Sequence, residues 1–170
     1  MTALPGHRDE SIDQRVVDLY REHGRRLFAY ALGMLGQPAD AEDVVQDAFL
    51  RLAGHLRAGG EDTNLHGWLY RVATNLGRDV QRARRRRAAE PTTSECSPPR
   101  ALTAIALERI LGRLPARDRE LVLMRGAGLS YAEMAAAADI RASSVGKLLS
   151  RALARFTAAY RTEIGTENRP

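Results

Sequence analysis

Asp40, Glu42, Asp43 and Asp47 lie within the eight residues "DAEDVVQD", with no Lys or Arg among them. Clustered carboxylates could ligate a divalent cation through oxygen. One short helix does not bring its carboxylates together on one point, so no metal or cofactor is expected and an acidic patch is left over. On a helix Ala41, Val44, Val45, Ala48, Phe49 and Leu52 form one apolar stripe. Asp43, Gln46, Asp47 and Leu50 are then left on the opposite side, since offsets of three and four residues are neighbours there.

Two other groups carry positive charge. From Arg71 to Arg87 there are seven Arg against Asp79 alone, and from Arg141 to Arg161 there are four Arg and Lys147 with no acid. In the first group the helical spacing places Arg71, Thr74, Asn75, Arg78 and Arg82 on the exposed side. In the second, Ser143, Ser144, Lys147, Ser150 and Arg151 share one face, short hydrogen-bonding side chains among cations, as groove binding requires. His7, His23, His55 and His66 read as isolated. There is no HExxH pair, GxSxG elbow or P-loop, so no catalytic constellation is expected.

The elements that must position these residues are helical. The chain has 170 residues, 44% of them hydrophobic but only 5% aromatic. A core of Leu, Val and Ala favours packed helices, and the expected class is all-α. One helix is expected from about Ser11 to Leu35, with Val16, Tyr20, Leu27, Ala31 and Leu35 inward, and "GQPAD" breaks it. Asp40 is the expected N-cap of the acidic helix. "AGHLRAGGEDTN" reads as a loop ending at a second N-cap, Asn64. Leu65, Trp68, Leu69, Val72, Ala73, Leu76 and Val80 then give the strongest apolar periodicity in the chain.

Residues 88–101, "AAEPTTSECSPPRA", contain three prolines and cannot continue a helix, so a linker is expected between units at 1–87 and 102–170. Beyond it Leu102 to Leu114 form a helix stopped by Pro115, and Arg117 to Met124 a short one. Ser130 and Glu133 have the spacing of a capping box, with Leu129 and Met134 placed to staple it. Residues 131–156 have the pattern of a helix-turn-helix: a short Ala-rich helix, a turn at Ala138, Asp139 and Ile140, and a longer helix with Val145, Leu149, Ala152 and Phe156 inward. The tail "GTENRP" is expected to fray.

Cys96 is the only cysteine, which excludes an internal disulfide and a cysteine-based zinc site. No run of about 18 apolar residues is present, and "MTALPGHRDE" lacks a signal peptide's apolar stretch, so the expected location is the cytoplasm, without membrane insertion. A net charge of +5 and a sequence pI near 10.0 suit an anionic partner.

In series, "DAEDVVQDAFLRL", "WLYRVATNLGRDVQRARRRR", a Pro-rich linker and "LPARDRELVLMRGAGLSYAEMAAAADIRASSVGKLLSRAL" resemble bacterial RNA polymerase sigma factors of the extracytoplasmic-function (ECF) group. The resemblance implies two small helical domains on a flexible linker and a promoter-specificity subunit that is not an enzyme. It implies that Asp43, Gln46, Asp47 and Leu50 dock on the clamp helices of the largest subunit of core RNA polymerase. Arg71, Thr74, Asn75, Arg78 and Arg82, with the loop at Gly59 to Asn64, would open and read the −10 element of promoter DNA. Ser143, Ser144, Lys147, Ser150 and Arg151 would meet the −35 element, and an anti-sigma protein is admitted as a further partner. The chain departs from the family pattern in having Asp139 for a turn Gly, Ser143-Ser144 for Gly-Thr, Gly146 for a cation and Leu148 for Arg. Two rival readings are a stand-alone helix-turn-helix regulator, and a metal-dependent nuclease using Asp40, Asp43 and Asp47.

Overall fold

The computed structural model describes residues 5–87 and 102–167, with side chains described over 10–87 and 106–163. The expected linker, Cys96 and His7 lie outside these. Seven helices follow in order: α1 (Pro5–Leu35), α2 (Pro38–Arg57), α3 (Leu65–Arg87), α4 (Leu102–Gly112), α5 (Ala116–Gly126), α6 (Tyr131–Ala138) and α7 (Ala142–Glu167). No strand occurs among the described residues.

The first unit is a bundle of α1, α2 and α3. Gly36 takes φ +72°, a left-handed conformation open to Gly at little steric cost, and its N–H closes on the Leu32 carbonyl at 2.7 Å. Two residues later Pro38 opens α2, where its fixed φ suits a first turn and its missing N–H costs nothing. Asp40 is therefore not the N-cap. Gln37 holds that position without a side-chain bond, and Asp40 sits inside the first turn, paired with Arg84 of α3. The six residues expected on the apolar stripe of α2 are the six that are buried. They pack on Leu27, Tyr30, Ala31 and Met34 of α1 and on Leu65, Leu69 and Ala73 of α3. Leu52 is fully buried, and Leu52→Ala is expected to cost about 2–5 kcal/mol through lost transfer energy and the cavity left behind. Helix α2 runs on to Arg57, so the expected loop shortens to 58–64. At its end the Asn64 side-chain oxygen accepts from the Gly67 N–H at 2.9 Å, the cap anticipated there.

The second unit, α4 to α7, is drawn together by paired buried carboxylates. Glu163 of α7 receives Arg109 at 3.1 Å and Arg113 at 2.8 Å from α4, and Asp118 of α5 receives Arg155 of α7. The capping box on α6 is complete: Glu133 N–H donates to Ser130 Oγ at 3.3 Å, and the Ser130 N–H donates to Glu133 Oε2 at 2.7 Å. Leu129 and Met134 are both fully buried beside it. Asp139 takes φ 56°, so the turn is built on a left-handed Asp, a residue that visits this region more readily than most because its short polar side chain can hydrogen-bond locally. Helix α7 continues through Glu167, so the start of the expected frayed tail is helical.

The units are docked. Helix α6 lies across α3, α5 packs on α1, and buried apolar residues of α1–α3 join those of α5–α7 in one cluster. Gly33 of α1 makes room for Leu123 of α5, whose Cδ2 would be 2.6 Å from a Cβ at that position.

Candidate nucleic-acid interface

The acidic side of α2 stands as expected: Asp43, Gln46, Asp47 and Leu50 are all exposed, Leu50 at 63%. The surface is wider than the helix. Tyr20 of α1, expected in the core, is instead 55% exposed and sets its ring edge-on to Phe49 at 5.1 Å. Between α1 and α2 a groove is lined by Val16, Tyr20, Phe28, Val45, Phe49 and Leu50. Apolar spacing could not reveal this, because Tyr20 fits the inward template and its exposure depends on where α2 crosses.

On α3 the five expected DNA-facing residues divide. Arg71, Asn75 and Arg82 are exposed. Thr74 is fully buried: its hydroxyl donates to the Tyr70 carbonyl at 2.6 Å and accepts from the Tyr30 hydroxyl at 2.7 Å. It is a core hydrogen-bonding residue in this conformation, because Tyr70, Thr74 and Gly77 form a second buried seam beside the Leu69–Leu76 stripe. Trp68, Val72 and Val80 are only partly buried against the core, and the Trp68 ring stacks on His55 at 4.9 Å. Burial pushes the Tyr70 hydroxyl up to about 12 and the Tyr30 hydroxyl higher still.

Arg78 is half-buried and committed. Its Nε and Nη2 donate to the two carboxylate oxygens of Glu120, on α5, at 3.0 and 2.6 Å, and Nη2 reaches the Ala138 carbonyl at 3.3 Å. The hydrogen bonds from Arg78 to Glu120 raise its pKa further, against its own burial. Other Arg residues of the stripe are used within the first unit. Arg84 donates to the Leu35 carbonyl at 2.7 Å and to Asp40, and Arg82 pairs with Asp79. Arg85, Arg86 and Arg87 are exposed.

The loop expected to serve the −10 element also faces the second unit. His55, Glu61, Thr63, Asn64, Trp68 and Arg71 line a cleft with Ser130, Ala132, Glu133 and Ala136. Across it His66 Nδ1 lies 3.3 Å from Glu133 Oε1. Burial pushes the Glu133 carboxyl up, but bonds from Ser130 and His66 together hold it below its ordinary value. His23 and His66 are not isolated: their ring centroids lie 5.0 Å apart. Burial, opposed by Glu22 and reinforced by His66 and Arg26, holds His23 below its ordinary 6.5. These pairings join residues too far apart in sequence for spacing to reveal.

On α7 Ser143, Lys147, Ser150 and Arg151 are exposed and Ser144 is half-buried. Arg117, Arg141, Ser143, Ser144, Lys147 and Arg151 line one shallow recess. Arg117 comes from α5, and sequence reasoning missed it. Leu148 is partly buried against the core and also lines this recess, an apolar side chain among its cations. A Cβ on Gly146 would meet the Tyr131 ring at 3.6 Å, an ordinary contact.

Asp40, one of the three carboxylates of the metal-nuclease reading, is paired with Arg84. Among the described residues no group of three His, Cys, Asp or Glu is placed to hold a metal ion, and no helix is long and apolar enough to cross a membrane.

Comparison with known proteins accounts for both units. Residues 19–87 match the family described as Sigma-70 region 2, and residues 104–156 match Sigma-70, region 4. The RNA polymerase sigma factor NccH of Alcaligenes xylosoxydans xylosoxydans is 31% identical, over 82% of this chain and 83% of that protein. The ECF RNA polymerase sigma factor SigM of Mycobacterium tuberculosis is 34% identical, over 81% of this chain and 73% of its own length. The solved structure of CnrH in complex with the cytosolic domain of CnrY superposes with a TM-score of 0.70 at 26% identity, covering 92% of this chain and 94% of that one. A region 2 match gives the acidic helix a place that a stand-alone helix-turn-helix regulator does not. With both sigma regions in order and relatives matched over most of their length, the chain belongs to the extracytoplasmic-function group of RNA polymerase sigma factors.

Proposed function

We propose that this sigma factor divides its work among three separate surfaces, and the observation that carries the reading is the separation of charge. The exposed acidic cluster Glu42, Asp43 and Asp47 lies on one side of α2, while exposed cations cluster at Arg82, Arg85, Arg86 and Arg87 on α3 and at Lys147 and Arg151 on α7. As a promoter-specificity subunit the chain binds core RNA polymerase and directs initiation at promoter DNA. Asp43, Gln46, Asp47 and Leu50 dock on the clamp helices of the largest subunit, with Tyr20 and the neighbouring groove extending the contact. Arg71, Asn75 and Arg82 serve the −10 element, joined by Arg78 when it is free of Glu120. Extruding a base costs a few kcal/mol, which phosphate contacts and a polar pocket at Asn75 offset. Ser143, Ser144, Lys147, Ser150 and Arg151 serve the −35 element, with Arg117 and Arg141 supplying phosphate contacts beside them.

In this reading 1–87, 88–101 and 102–170 are core-and-−10 domain, linker and −35 domain. The chain acts in the cytoplasm, by binding rather than by catalysis, and is held in reserve by an anti-sigma protein. Support for that partner comes from a structural neighbour solved with the cytosolic domain of another protein. Run-off transcription from a promoter-fragment library, with core polymerase alone and with this chain added, tests the reading. Discrete new transcripts are expected only with the chain present. Identical products in both reactions overturn it.

A further inference from the structure

A guanidinium that is to bind a DNA phosphate must be free to do so, and Arg78 is not. Both its Nε and an Nη are taken by Glu120, whose side chain is only 6% exposed, and a carbonyl at the end of α6 takes a further contact. Two oxygens on a planar anion, held side-on to a guanidinium, are what a phosphate would also present. The same docking seats α6 over the cleft that contains Asn64, Trp68 and Arg71.

We propose that Glu120 is an internal stand-in for a DNA phosphate: in the docked chain its carboxylate occupies Arg78 while α6 covers the −10-reading end of α3, so docking and −10 strand binding exclude one another. The proposal rests on the assignment of Arg78 to the −10 strand made above. The energetics suit a reversible latch. A buried ion pair returns little net stability once desolvation is counted, so its replacement by a hydrated carboxylate and an Arg–phosphate pair needs no large driving force. Close approach of the units depends on two residues without a Cβ. Gly33 admits Leu123, and a Cβ on Gly67 would come within 2.8 Å of Glu133 Cγ. These contacts are independent of the ion pair, so docking can be altered from a second place.

The full chain can be tested with a fluorescein-labelled single-stranded deoxyoligonucleotide of mixed sequence, since a phosphate contact carries little base information. Glu120→Gln keeps shape and removes charge. It is expected to bind the strand about 5- to 10-fold more tightly than the parent, because apparent affinity scales with the fraction of competent protein. The slope of log affinity against log salt should stay that of the parent, since both proteins reach the same bound state. Arg78→Ala added to Glu120→Gln should abolish the gain and flatten the slope by about 0.7, one phosphate contact on a single strand. Independently, Gly33→Cys with Leu123→Cys in a Cys96→Ser background locks the units when oxidised; binding should fall at least about 5-fold and return on reduction.

Equal binding by oxidised and reduced protein, with the crosslink verified, overturns the proposal alone. Binding by Glu120→Gln that matches the parent, or that is unaffected by Arg78→Ala, overturns the phosphate competition. If the reduced protein and Glu120→Gln bind no strand at all, the −10 assignment beneath the proposal falls with it.

Discussion

Helices α2 and α3 belong to the same three-helix unit, yet their outward faces differ in what the rest of the chain does with them. On the acidic face of α2 Asp43, Gln46, Asp47 and Leu50 are all exposed. The polar side of α3 is partly taken up internally, with Arg78 bonded to Glu120 and Arg84 to Asp40 and Leu35, while Arg71, Asn75 and Arg82 stand exposed. Under the proposed roles the open face can meet its partner at once, whereas Arg78 must first leave Glu120, which orders the two helices in time.

The largest effect that would break this comparison is on α2. Asp43→Arg combined with Gln46→Ala should reduce co-purification with core polymerase by at least about 100-fold, with circular dichroism unchanged, because reversed charge on an exposed face opposes docking and not folding. Normal co-purification would remove the role given to the open face.

On α3, adjacent residues should behave as opposites. Thr74→Val leaves the buried Tyr30 hydroxyl without its partner, and a loss of about 1–3 kcal/mol is expected in urea unfolding. Asn75→Ala should leave stability within about 0.5 kcal/mol and lower open-complex formation, seen as reduced permanganate reactivity of the melted strand. A stability loss shared equally by both variants would contradict the burial pattern.

A smaller contrast concerns the second DNA face. Lys147→Ala should weaken binding to upstream promoter duplex more than Ser150→Ala, and Arg117→Ala should weaken it with little change in sequence preference, since a phosphate contact is uniform across sequences. Gly146→Arg should raise affinity and shift the selected upstream motif, a bidentate base contact being worth about 1–3 kcal/mol of discrimination. An unchanged motif at unchanged affinity would mean that this helix face does not read bases.

The smallest effect is a pH dependence. His23 is held below 6.5 by burial, so on acidification the unfolded chain takes up a proton through 6.5 while the folded chain resists. Its contribution to stability is therefore lost as pH falls below that value. The fall in Tm between about pH 7.5 and about pH 5.5 should be smaller by about 1–3 °C in His23→Leu. An equal fall in both proteins would place the acid sensitivity elsewhere.

Local chemistry was legible in the sequence. The α2 stripe, the Asn64 cap and the Ser130–Glu133 box all follow from spacings of eleven residues or fewer. Asp40 was misread as a cap because Pro38 starts the helix earlier than an apolar template suggests. Thr74 was misread because one 3.6-residue stripe was assigned to α3, whereas three neighbours, α1, α2 and α6, bury two seams. The Arg78–Glu120 and His66–Glu133 contacts span 42 and 67 residues, and neither partner carries a local mark of the other. Tertiary docking, not propensity, decides which polar residues of α3 meet solvent.

Glu133 divides its two oxygens between different tasks: Oε2 receives the Ser130 N–H and hydroxyl, and Oε1 faces His66 of the other unit. An eight-residue helix is too short to hold itself together in isolation. The carboxylate that helps to start α6 is thus also steadied from outside the helix. Separation of the units would remove that outer tether, letting the Glu133 side chain sample rotamers that break the box. The Ser130 amide should then exchange its hydrogen with solvent faster whenever the units part, which makes one backbone N–H a clock for a motion between domains.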